Sequence, residues 1–482
     1  MYPCLNLSNT FASLPPEWPE DPLPEIRQNL DETPDHKLIV LDDDPTGTQT
    51  VKDIPVVTNW KVSTLLSELK AQSPGFFILT NSRSLNEIES RTLHQEIASN
   101  IRQALAQLDR ETNKKTVTII SRSDSTLRGH YPLETDVISE ELDTPDVLII
   151  APYFEEGNRY TINDVHYLTE HDTLVPVGAT PFAKDKSFGY TQSHLPSWVE
   201  EKTNSKISAS SVTSLSLEEL RLGGPDEVCQ TIASLPRGSV CVANAACPRD
   251  IEVLALATLR AEKKGIKILF RSAASIVSAR LGQRPQDSLT TDQLTEKDAK
   301  NGGLTIIGSY VSKTTAQLDY LLSTSSAKFV EISVEDLLAP EKAATTISHT
   351  SEVINTALSS GSDVVAFTSR TLVSGINSES SLAIGRAISD ALVSITQQIN
   401  EAPRYLIAKG GITSSDIATK ALRISRAIVL GHAIPGVPVW QLGHEAKFPG
   451  MNYIIFPGNV GTAESLGDLI SSLQLAKATA PN

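Results

Sequence analysis

The chain has 482 residues, of which 40% are hydrophobic and 21% are charged. This length predicts two or three domains, each large enough to bury a hydrophobic core of its own. The 42 basic and 57 acidic residues give a net charge of -15, and this balance argues against nucleic acid or an anionic membrane as the main partner. An acidic ligand would therefore need a local basic pocket.

The four cysteines form neither a paired disulfide framework nor a C-x-x-C motif, so reduced thiols are expected. No apolar run approaches the about 20 residues that a membrane span requires. The N-terminus also lacks the charged-then-apolar order of a signal peptide. These features predict a cytoplasmic protein.

Residues 1–36 contain seven prolines, and this density predicts an extended arm without regular helix or strand. After the arm, short apolar runs such as KLIVL and TVTIIS alternate with helical patterns, which predicts a mostly parallel sheet flanked by helices. The stretch 155–210 is predicted to be irregular. A polar stretch at 286–303 is predicted to link this first α/β domain, residues 37–285, to a second one, residues 304–482.

Charged side chains follow four apolar runs of the first domain, in the segments DDDPTGTQ, TNSRS, SRSDSTLRGH and APYFEEGNRYT. Because the carboxyl ends of parallel strands face a common ligand crevice, we expect these side chains to meet there. Guanidinium groups bind carboxylates or phosphates, and carboxylates accept hydrogen bonds from sugar hydroxyls. The pattern predicts a site for a small polyhydroxy acid, although simple pairing across loops is the alternative. The charged residues concerned are Asp43, Asp44, Asp124, Arg83, Arg122, Arg128 and Arg159.

Glycine and small hydroxyl residues form three strand-to-helix junctions of the second domain, in IIGSYVSKTT, IAKGGITSSD and IFPGNVGTAES. Such junctions let backbone N–H groups approach a phosphate closely. Three of them in one domain predict a polyphosphate ligand, although neither a P-loop nor a Rossmann motif is present. Lys409, before Gly410, is either a phosphate partner or a solvated lysine.

Two other functions fit parts of the pattern. LDDDPT satisfies the D-x-D-x-T motif of haloacid-dehalogenase-like phosphatases, in which Asp42 would be the nucleophile and Asp44 the acid or base. Those enzymes also need a later strand that ends in Gly-Asp or Asp-Asp, and none of the apolar runs ends that way. A non-catalytic sensor that binds a sugar acid and a nucleotide is the second alternative.

The order and spacing of these motifs resemble the four-carbon acid sugar kinases, which phosphorylate threonate, erythronate or their 3-oxo relatives with ATP. The resemblance runs from about Lys37 to Leu469 and is carried by DDDPTGTQ, SDSTLRGHYPLE, FRSAAS, GSYVSKTT, AKGGITSS and FPGNVG. It implies an acid-sugar domain followed by an ATP domain, with the active site in the cleft between them. Ile412 and Phe456 stand where family members often have an acidic residue and a lysine.

The resemblance implies sugar-acid contacts around Asp43, Asp44, Asp124 and Arg128, and Ser125, in the same segment, is a further substrate-binding candidate. ATP contacts are implied at Ser309, Gly410, Gly411, Ile412, Thr413 and Gly458, and the loop neighbours Thr314, Ser414, Asn459 and Gly461 complete the nucleotide candidates.

We therefore predict a kinase that phosphorylates the terminal hydroxyl of a small sugar acid. Arg128, with Arg83, Arg122 or Arg159, would hold the substrate carboxylate, and Asp44 or Asp124 would act as base or orient the hydroxyl. Mg²⁺ would bridge the ATP phosphates, and the sequence does not identify its protein ligands. The oligomeric state is left open, with a homodimer as one option.

Overall fold

The computed structural model describes residues 2–111, 114–284, 287–295, 300–370, 373 and 378–474, with the backbone alone at 378–382. The chain divides into two compact units, Met1–Pro285 and Gln286–Asn482. None of the helices in the described ranges is long and apolar enough to cross a lipid bilayer.

The first unit alternates strands and helices along most of its length. Its strands are β1 (Leu5–Asn6), β2 (His36–Asp42), β3 (Ile54–Val57), β4 (Gly75–Leu79), β5 (Thr116–Arg122), β6 (Val147–Ala151), β7 (Arg159–Ile162), β8 (Val165–Glu170), β9 (Thr173–Pro176), β10 (Thr213–Leu215), β11 (Ser239–Ala243) and β12 (Ile268–Ser272). Its helices are α1 (Leu7–Ala12), α2 (Leu23–Glu32), α3 (Val62–Lys70), α4 (Glu87–Arg110), α5 (Leu133–Leu142), α6 (Leu195–Lys202), α7 (Gly224–Ser234), α8 (Pro248–Lys263) and α9 (Ser275–Arg280).

The main sheet of the first unit is parallel, with strand order β10-β11-β6-β12-β5-β2-β4-β3. Its central strands are near-continuous apolar runs because helices cover the sheet. Helix α4 begins with a capping box between Asn86 and Glu89, and it buries Ile97, Ile101 and Leu108. Strands β12, β5, β2 and β4 are neighbours, so their carboxyl ends lie side by side.

Two sequence predictions for the first unit are wrong. Residues 2–36 do not form an arm without regular structure, because α1 and α2 lie within them. Prolines at the first turn of α2 fit its N-terminus, where no backbone N–H is needed. The stretch 155–210 is not irregular either, since β1, β9, β8 and β7 form a small antiparallel sheet.

The second unit is also α/β. Its strands are β13 (Leu304–Ile307), β14 (Lys328–Ile332), β15 (Val364–Thr368), β16 (Leu406–Lys409), β17 (Arg426–Ile434), β18 (Val437–Leu442) and β19 (Asn452–Phe456). Its helices are α10 (Thr291–Leu294), α11 (Ser312–Thr324), α12 (Val334–Leu338), α13 (Pro340–Ser359), α14 (Ser378–Gln397), α15 (Gly411–Asp416) and α16 (Ser465–Leu473).

The strand order of the second unit is β17-β18-β19-β16-β13-β15-β14. Strands β19, β16, β13, β15 and β14 are parallel, whereas β17 and β18 form an antiparallel edge. The predicted fold class, a mostly parallel sheet flanked by helices in each of two domains, is confirmed. Strands β19, β16 and β13 are neighbours, so the three glycine-rich junctions start side by side.

Part of the stretch predicted as a linker belongs to the second unit. Leu294 of α10 is buried in the same hydrophobic cluster as Ile307 and Leu466. Residues 286 and 296–299 of that stretch lie outside the described residues. The described part of the predicted linker therefore includes a short helix, α10, that packs into the hydrophobic core of the second unit.

Candidate active site

One arginine lies among three carboxylates at the carboxyl ends of β4, β2 and β5. Arg83 Nη2 lies 2.5 Å from Asp44 Oδ2, and Arg83 Nε lies 3.5 Å from Asp43 Oδ2. The third carboxylate is that of Asp124, whose Oδ1 is 3.4 Å from Arg83 Nη1. The structure thus brings together four of the charged residues that the sequence predicts to meet.

A second arginine lies deeper at the same edge of the sheet. Arg122 Nη1 donates a hydrogen bond of 3.0 Å to Asp42 Oδ1 and lies 3.5 Å from Asp43 Oδ1. Asp42 is only 1% exposed, and its carboxylate packs so closely on Gly47 that any side chain there would collide with it. Asp42 is therefore enclosed by the protein.

The pKa is raised in two of the four carboxyl groups, those of Asp42 and Asp43, and lowered in the other two, those of Asp44 and Asp124. Burial raises the pKa of Asp42 to about 7, and the neighbouring carboxylates add to this rise. Burial likewise raises the pKa of Asp43 to about 6. In Asp44 and Asp124 burial acts in the same direction, but nearby arginines outweigh it and lower the pKa of both groups.

Asp44 and Asp124 are therefore ionised at neutral pH. Their side chains are also 17% and 14% exposed, whereas both carboxylate oxygens of Asp43 are buried. A ligand can accordingly reach Asp44 and Asp124 more easily than Asp43. Asp43 contributes instead by pairing with Arg83 and Arg122.

Arg128 already has carboxylate partners. Its Nε donates to Asp124 Oδ2 at 2.8 Å, its Nη1 lies 3.6 Å from Asp185 Oδ2, and its guanidinium lies 5.0 Å from the centre of the Phe182 ring. Ser125 is buried nearby, and its backbone carbonyl accepts a hydrogen bond of 2.8 Å from His166 Nε2.

Two arginines of this region lack a carboxylate partner among the described residues. Arg159, the first residue of β7, lies 6.0 Å from the Phe182 ring centre, and its Nε is buried without a hydrogen bond. Arg271, near the end of β12, is 1% exposed and donates to the Arg128 carbonyl at 2.9 Å. Burial lowers the pKa of both guanidinium groups.

Sequence reasoning did not name Arg271 as a site candidate. Its position near the end of an apolar run, in FRSAAS, was the signal that could have indicated it. Glu134, the last residue of the motif SDSTLRGHYPLE, was given no role from the sequence; it lies beneath the site and accepts hydrogen bonds from the hydroxyl groups of Ser82 and Ser121, at 2.6 Å and 3.2 Å. An unpaired buried guanidinium is costly, so Arg159 and Arg271 mark the part of the site that favours an anion.

In the second unit the three glycine-rich junctions converge on Ser309. Thr314 Oγ1 donates to the Gly458 carbonyl at 3.1 Å and can accept from Ser309 Oγ at the same distance. A Cβ at Gly458 would lie 2.9 Å from Ser309 Oγ, and one at Gly410 would lie 3.0 Å from Ser309 Cβ. Gly410 also has a φ of 120°, which favours glycine.

The other nucleotide candidates surround this point. Gly411 is the first residue of α15, Thr413 and Ser414 are buried, and Gly461 has a positive φ. Ile412 is 54% exposed, and Asn459 is also exposed. The N–H groups of Ser309 and Gly410 already donate to the carbonyls of Lys409 and Phe456, so other N–H groups of the junctions would bind a phosphate. A side chain at Gly410 or Gly458 would press on Ser309.

Lys409 is fully buried, so its interpretation as a solvated lysine is wrong. Its Nζ donates to the Pro457 carbonyl at 3.0 Å and lies 4.0 Å from the centre of the Phe456 ring. Burial, with a smaller contribution from Lys313, lowers the pKa of Lys409 to about 7. Sequence reasoning also missed Gln317, which donates to the carbonyls of Val460 and Thr462 at 3.0 Å and 2.8 Å.

The described residues contain no group of three or more His, Cys, Asp or Glu side chains that could hold a metal ion. The glycine-rich junctions, by contrast, fit phosphate groups by their open backbone.

Arg83→Met should lower the free energy of unfolding by about 3–5 kcal/mol, because it removes the cation that three carboxylates share. The loss should be larger at pH 8 than at pH 5.5, since the carboxylates can take up protons at the lower pH. Urea denaturation measures both values. Arg237→Met is the control, because its pair with Asp143 is exposed and contributes at most about 1 kcal/mol. Equal small losses for the two variants at pH 8 would contradict this account.

Lys409→Met should change how stability depends on pH. The folded-state pKa of about 7 lies below the ordinary lysine pKa of 10.5, so the unfolded wild-type chain binds more protons between these values. Wild-type stability should therefore gain up to about 1.4 kcal/mol per pH unit above pH 7 from this group. Urea denaturation from pH 6.5 to 9 should show the gain in wild type and in the control Lys300→Met, which changes an exposed lysine. If the stability of wild type and of Lys409→Met depended on pH in the same way, Lys409 would not be the source of the gain.

Comparison with known proteins agrees with this division of the chain. Residues 38–280 match a family described as a sugar-binding N-terminal domain, and residues 304–466 match a family described as a nucleotide-binding C-terminal domain. No curated protein matches the chain.

Solved structures show the same fold at low identity. Haemophilus influenzae protein HI1011 is 17% identical, with a TM-score of 0.61 and coverage of 91% of this chain and 100% of its own. A protein from Salmonella typhimurium LT2 is 16% identical, with a TM-score of 0.64 and coverage of 91% and 98%. The two domain matches together span most of the sequence. The chain therefore belongs to the family that joins this sugar-binding domain to this nucleotide-binding domain, the four-carbon acid sugar kinase family.

Proposed function

We propose that the protein transfers the γ-phosphate of ATP to the terminal hydroxyl of a four-carbon or similar sugar acid or 3-oxo sugar acid. The observation that carries the proposal is the combination of the ionised carboxylates after β2 and β5 with Arg159, which faces the same Phe182 ring as Arg128 and lacks a carboxylate partner among the described residues. Carboxylates accept hydrogen bonds from hydroxyl groups, and a free guanidinium binds a carboxylate. A sugar acid has both groups within one small molecule.

The substrate carboxylate is assigned to Arg159. The sequence favours Arg128 for this role, but Arg128 pairs with Asp124 and Asp185, and Arg83 and Arg122 are paired as well. Arg159 has no carboxylate within ion-pair distance in the described part of the chain, so substrate binding breaks no existing pair. Arg128 then acts as a positioning residue that fixes Asp124.

Asp44 and Asp124 orient the hydroxyl that attacks the γ-phosphorus. Both are ionised and partly exposed, so they can accept a hydrogen bond from the substrate. As the new bond from the hydroxyl oxygen to phosphorus forms and the bond to ADP breaks, the hydroxyl proton passes late to the orienting carboxylate. Phosphoryl transfer depends more on positioning than on a strong base, so a lowered carboxyl pKa is compatible with this role.

The glycine-rich junctions bind the ATP phosphates through backbone N–H groups such as those of Gly411 and Ile412 in the first turn of α15, because the N–H groups of Ser309 and Gly410 already donate to backbone carbonyls. Mg²⁺, when bound, neutralises charge on the β- and γ-phosphates, and the phosphates supply its ligands in this proposal. Transfer further requires that the ligands of the two units meet, as the cleft predicted from the sequence would allow.

The alternative phosphatase function needs Asp42 as an accessible nucleophile. Asp42 is instead enclosed by Gly47 and paired with Arg122, and this geometry disfavours the alternative. The sensor hypothesis differs from a kinase only in turnover, so an activity assay separates the two.

A coupled assay of ADP release tests the proposal across a panel of threonate, erythronate, 3-oxo-tetronate and five-carbon sugar acids. The matched control for each acid is the corresponding sugar alcohol, which lacks the carboxylate. We expect ADP release only with an acid of the panel. ATP consumption that is independent of the acid, or tight binding of acid and ATP without turnover, would contradict a kinase.

Arg159→Met should raise the KM for the sugar acid by about 10- to 100-fold, since a charge-assisted hydrogen bond is lost. The KM for ATP should stay within a factor of two or so, because the change lies in the first unit. Steady-state kinetics measure both constants. The control is Arg102→Met, which removes an exposed arginine paired with Glu141 and should change neither. A rise in the KM for ATP as large as that for the acid would argue against the assignment.

Asp44→Asn should lower kcat by at least about 100-fold while the fold is kept, because an amide oxygen accepts the hydroxyl hydrogen bond more weakly than a carboxylate. Asp226→Asn is the control, as this carboxylate is exposed and pairs with Arg260. Rapid-quench measurement of the transfer step reports the loss directly. An unchanged transfer rate would remove Asp44 from the site.

A further inference from the structure

Arg370 lies against one of the three junctions that surround Ser309. It follows β15, the strand next to β13. Its Nη1 donates to the Ser309 carbonyl at 2.7 Å, and its Nη2 donates to Thr315 Oγ1 at 2.6 Å. A guanidinium has five N–H donors; the Nε donor is buried, so one N–H on Nη1 and one on Nη2 remain for a ligand. The contacts fix the plane of the guanidinium without using its charge.

The charge of Arg370 is poorly compensated. No carboxylate lies within 4.0 Å of it among the described residues, and its Nε is buried without a hydrogen bond. By contrast, the charge of Arg404 in the same unit is compensated, since its Nη2 pairs with Asp363 Oδ1 at 2.5 Å. Burial lowers the pKa of Arg370, and Asp319 only partly opposes this effect. A partly buried cation of this kind favours an anionic ligand.

The surroundings of Ser309 offer few other sources of charge. The three junctions contain two acidic residues, Asp416 and Glu464, both near the end of their segment. Asp416 pairs with Lys420 at 3.1 Å. Lys409 lies beneath the junctions, but its Nζ donates to a backbone carbonyl, and the lowered pKa of this lysine makes it largely neutral above pH 7. Lys313, in the first junction, is exposed, so Arg370 is the partly buried cation of this region, and its hydrogen bonds to Ser309 and Thr315 hold it in one place.

We propose that Arg370 binds the terminal phosphates of the nucleoside triphosphate through the N–H groups that Ser309 and Thr315 leave free. The inference rests on the proposed nucleotide site and adds to it a residue that supplies positive charge. Sequence reasoning missed it because Arg370 lies outside the three glycine-rich junctions. The signal is its position directly after the apolar run DVVAFTS, at the same edge of the sheet.

Titration calorimetry with ATP, ADP, AMP and adenosine, in EDTA and separately with Mg²⁺, tests the proposal. Arg370→Met should weaken ATP binding by about 10- to 100-fold, as expected for loss of hydrogen bonds to a charged group. The loss of affinity caused by Arg370→Met should be largest for ATP, smaller for ADP and smallest for AMP, and the affinity for adenosine should be unchanged. Lys328→Met is the matched control, because it removes one exposed positive charge at the start of β14 and should leave all four affinities unchanged.

A purely structural role predicts a different pattern. If Arg370 only holds the Ser309 junction in place, Arg370→Met should weaken the binding of adenosine as much as the binding of ATP. That result would overturn the proposal. Equal ATP affinity in wild type and variant would overturn it too. If Arg370→Met does not fold, Arg370→Gln replaces it, with the same dependence on phosphate number expected. A wild-type protein that does not bind ATP would instead refute the proposed function itself, so the two failures are distinguishable.

Discussion

The position of Arg83 among the carboxylates of Asp43, Asp44 and Asp124 is the constraint on which the first unit's site depends. Three like charges at adjacent strand ends repel one another strongly where water is excluded. The shared guanidinium, with Arg122 beneath it, makes this arrangement tolerable and keeps the more exposed carboxylates ionised. The acidic turn after β2 is therefore explained by arginines that come from the two strands beside it, β4 and β5.

Arginines without a carboxylate partner mark the places where ligands are proposed to bind. Most buried arginines in the described residues lie beside a carboxylate, as Arg404 does. The buried Arg271 and the partly buried Arg159 and Arg370 do not. All three lie at the carboxyl end of a sheet or beside it, where the two ligands are proposed to bind. Because an uncompensated buried charge destabilises the folded protein, its persistence is more readily explained by a ligand than by stability. This single criterion marks a carboxylate site in one unit and a phosphate site in the other.

The sequence predicts the strands and long helices well, because continuous apolar runs and 3.6-residue periodicity report the burial of parallel strands and of helices directly. It also predicts which strand ends meet, since the order of parallel strands brings the charged segments to one edge. It fails where tertiary packing decides. Prolines at the first turn allow α2 to form, and the antiparallel strands β7 to β9 are short and only partly apolar. The burial of Lys409 depends on Phe456 packing against it, which no local pattern shows.

The most direct test of the account is a crystal structure with a four-carbon sugar acid and a non-hydrolysable ATP analogue. The account predicts the substrate carboxylate within hydrogen-bond distance of Arg159, its terminal hydroxyl beside Asp44 or Asp124, and the triphosphate at Ser309. A sugar acid whose carboxylate displaces Asp124 from Arg128, or one that binds away from Arg159, would contradict it.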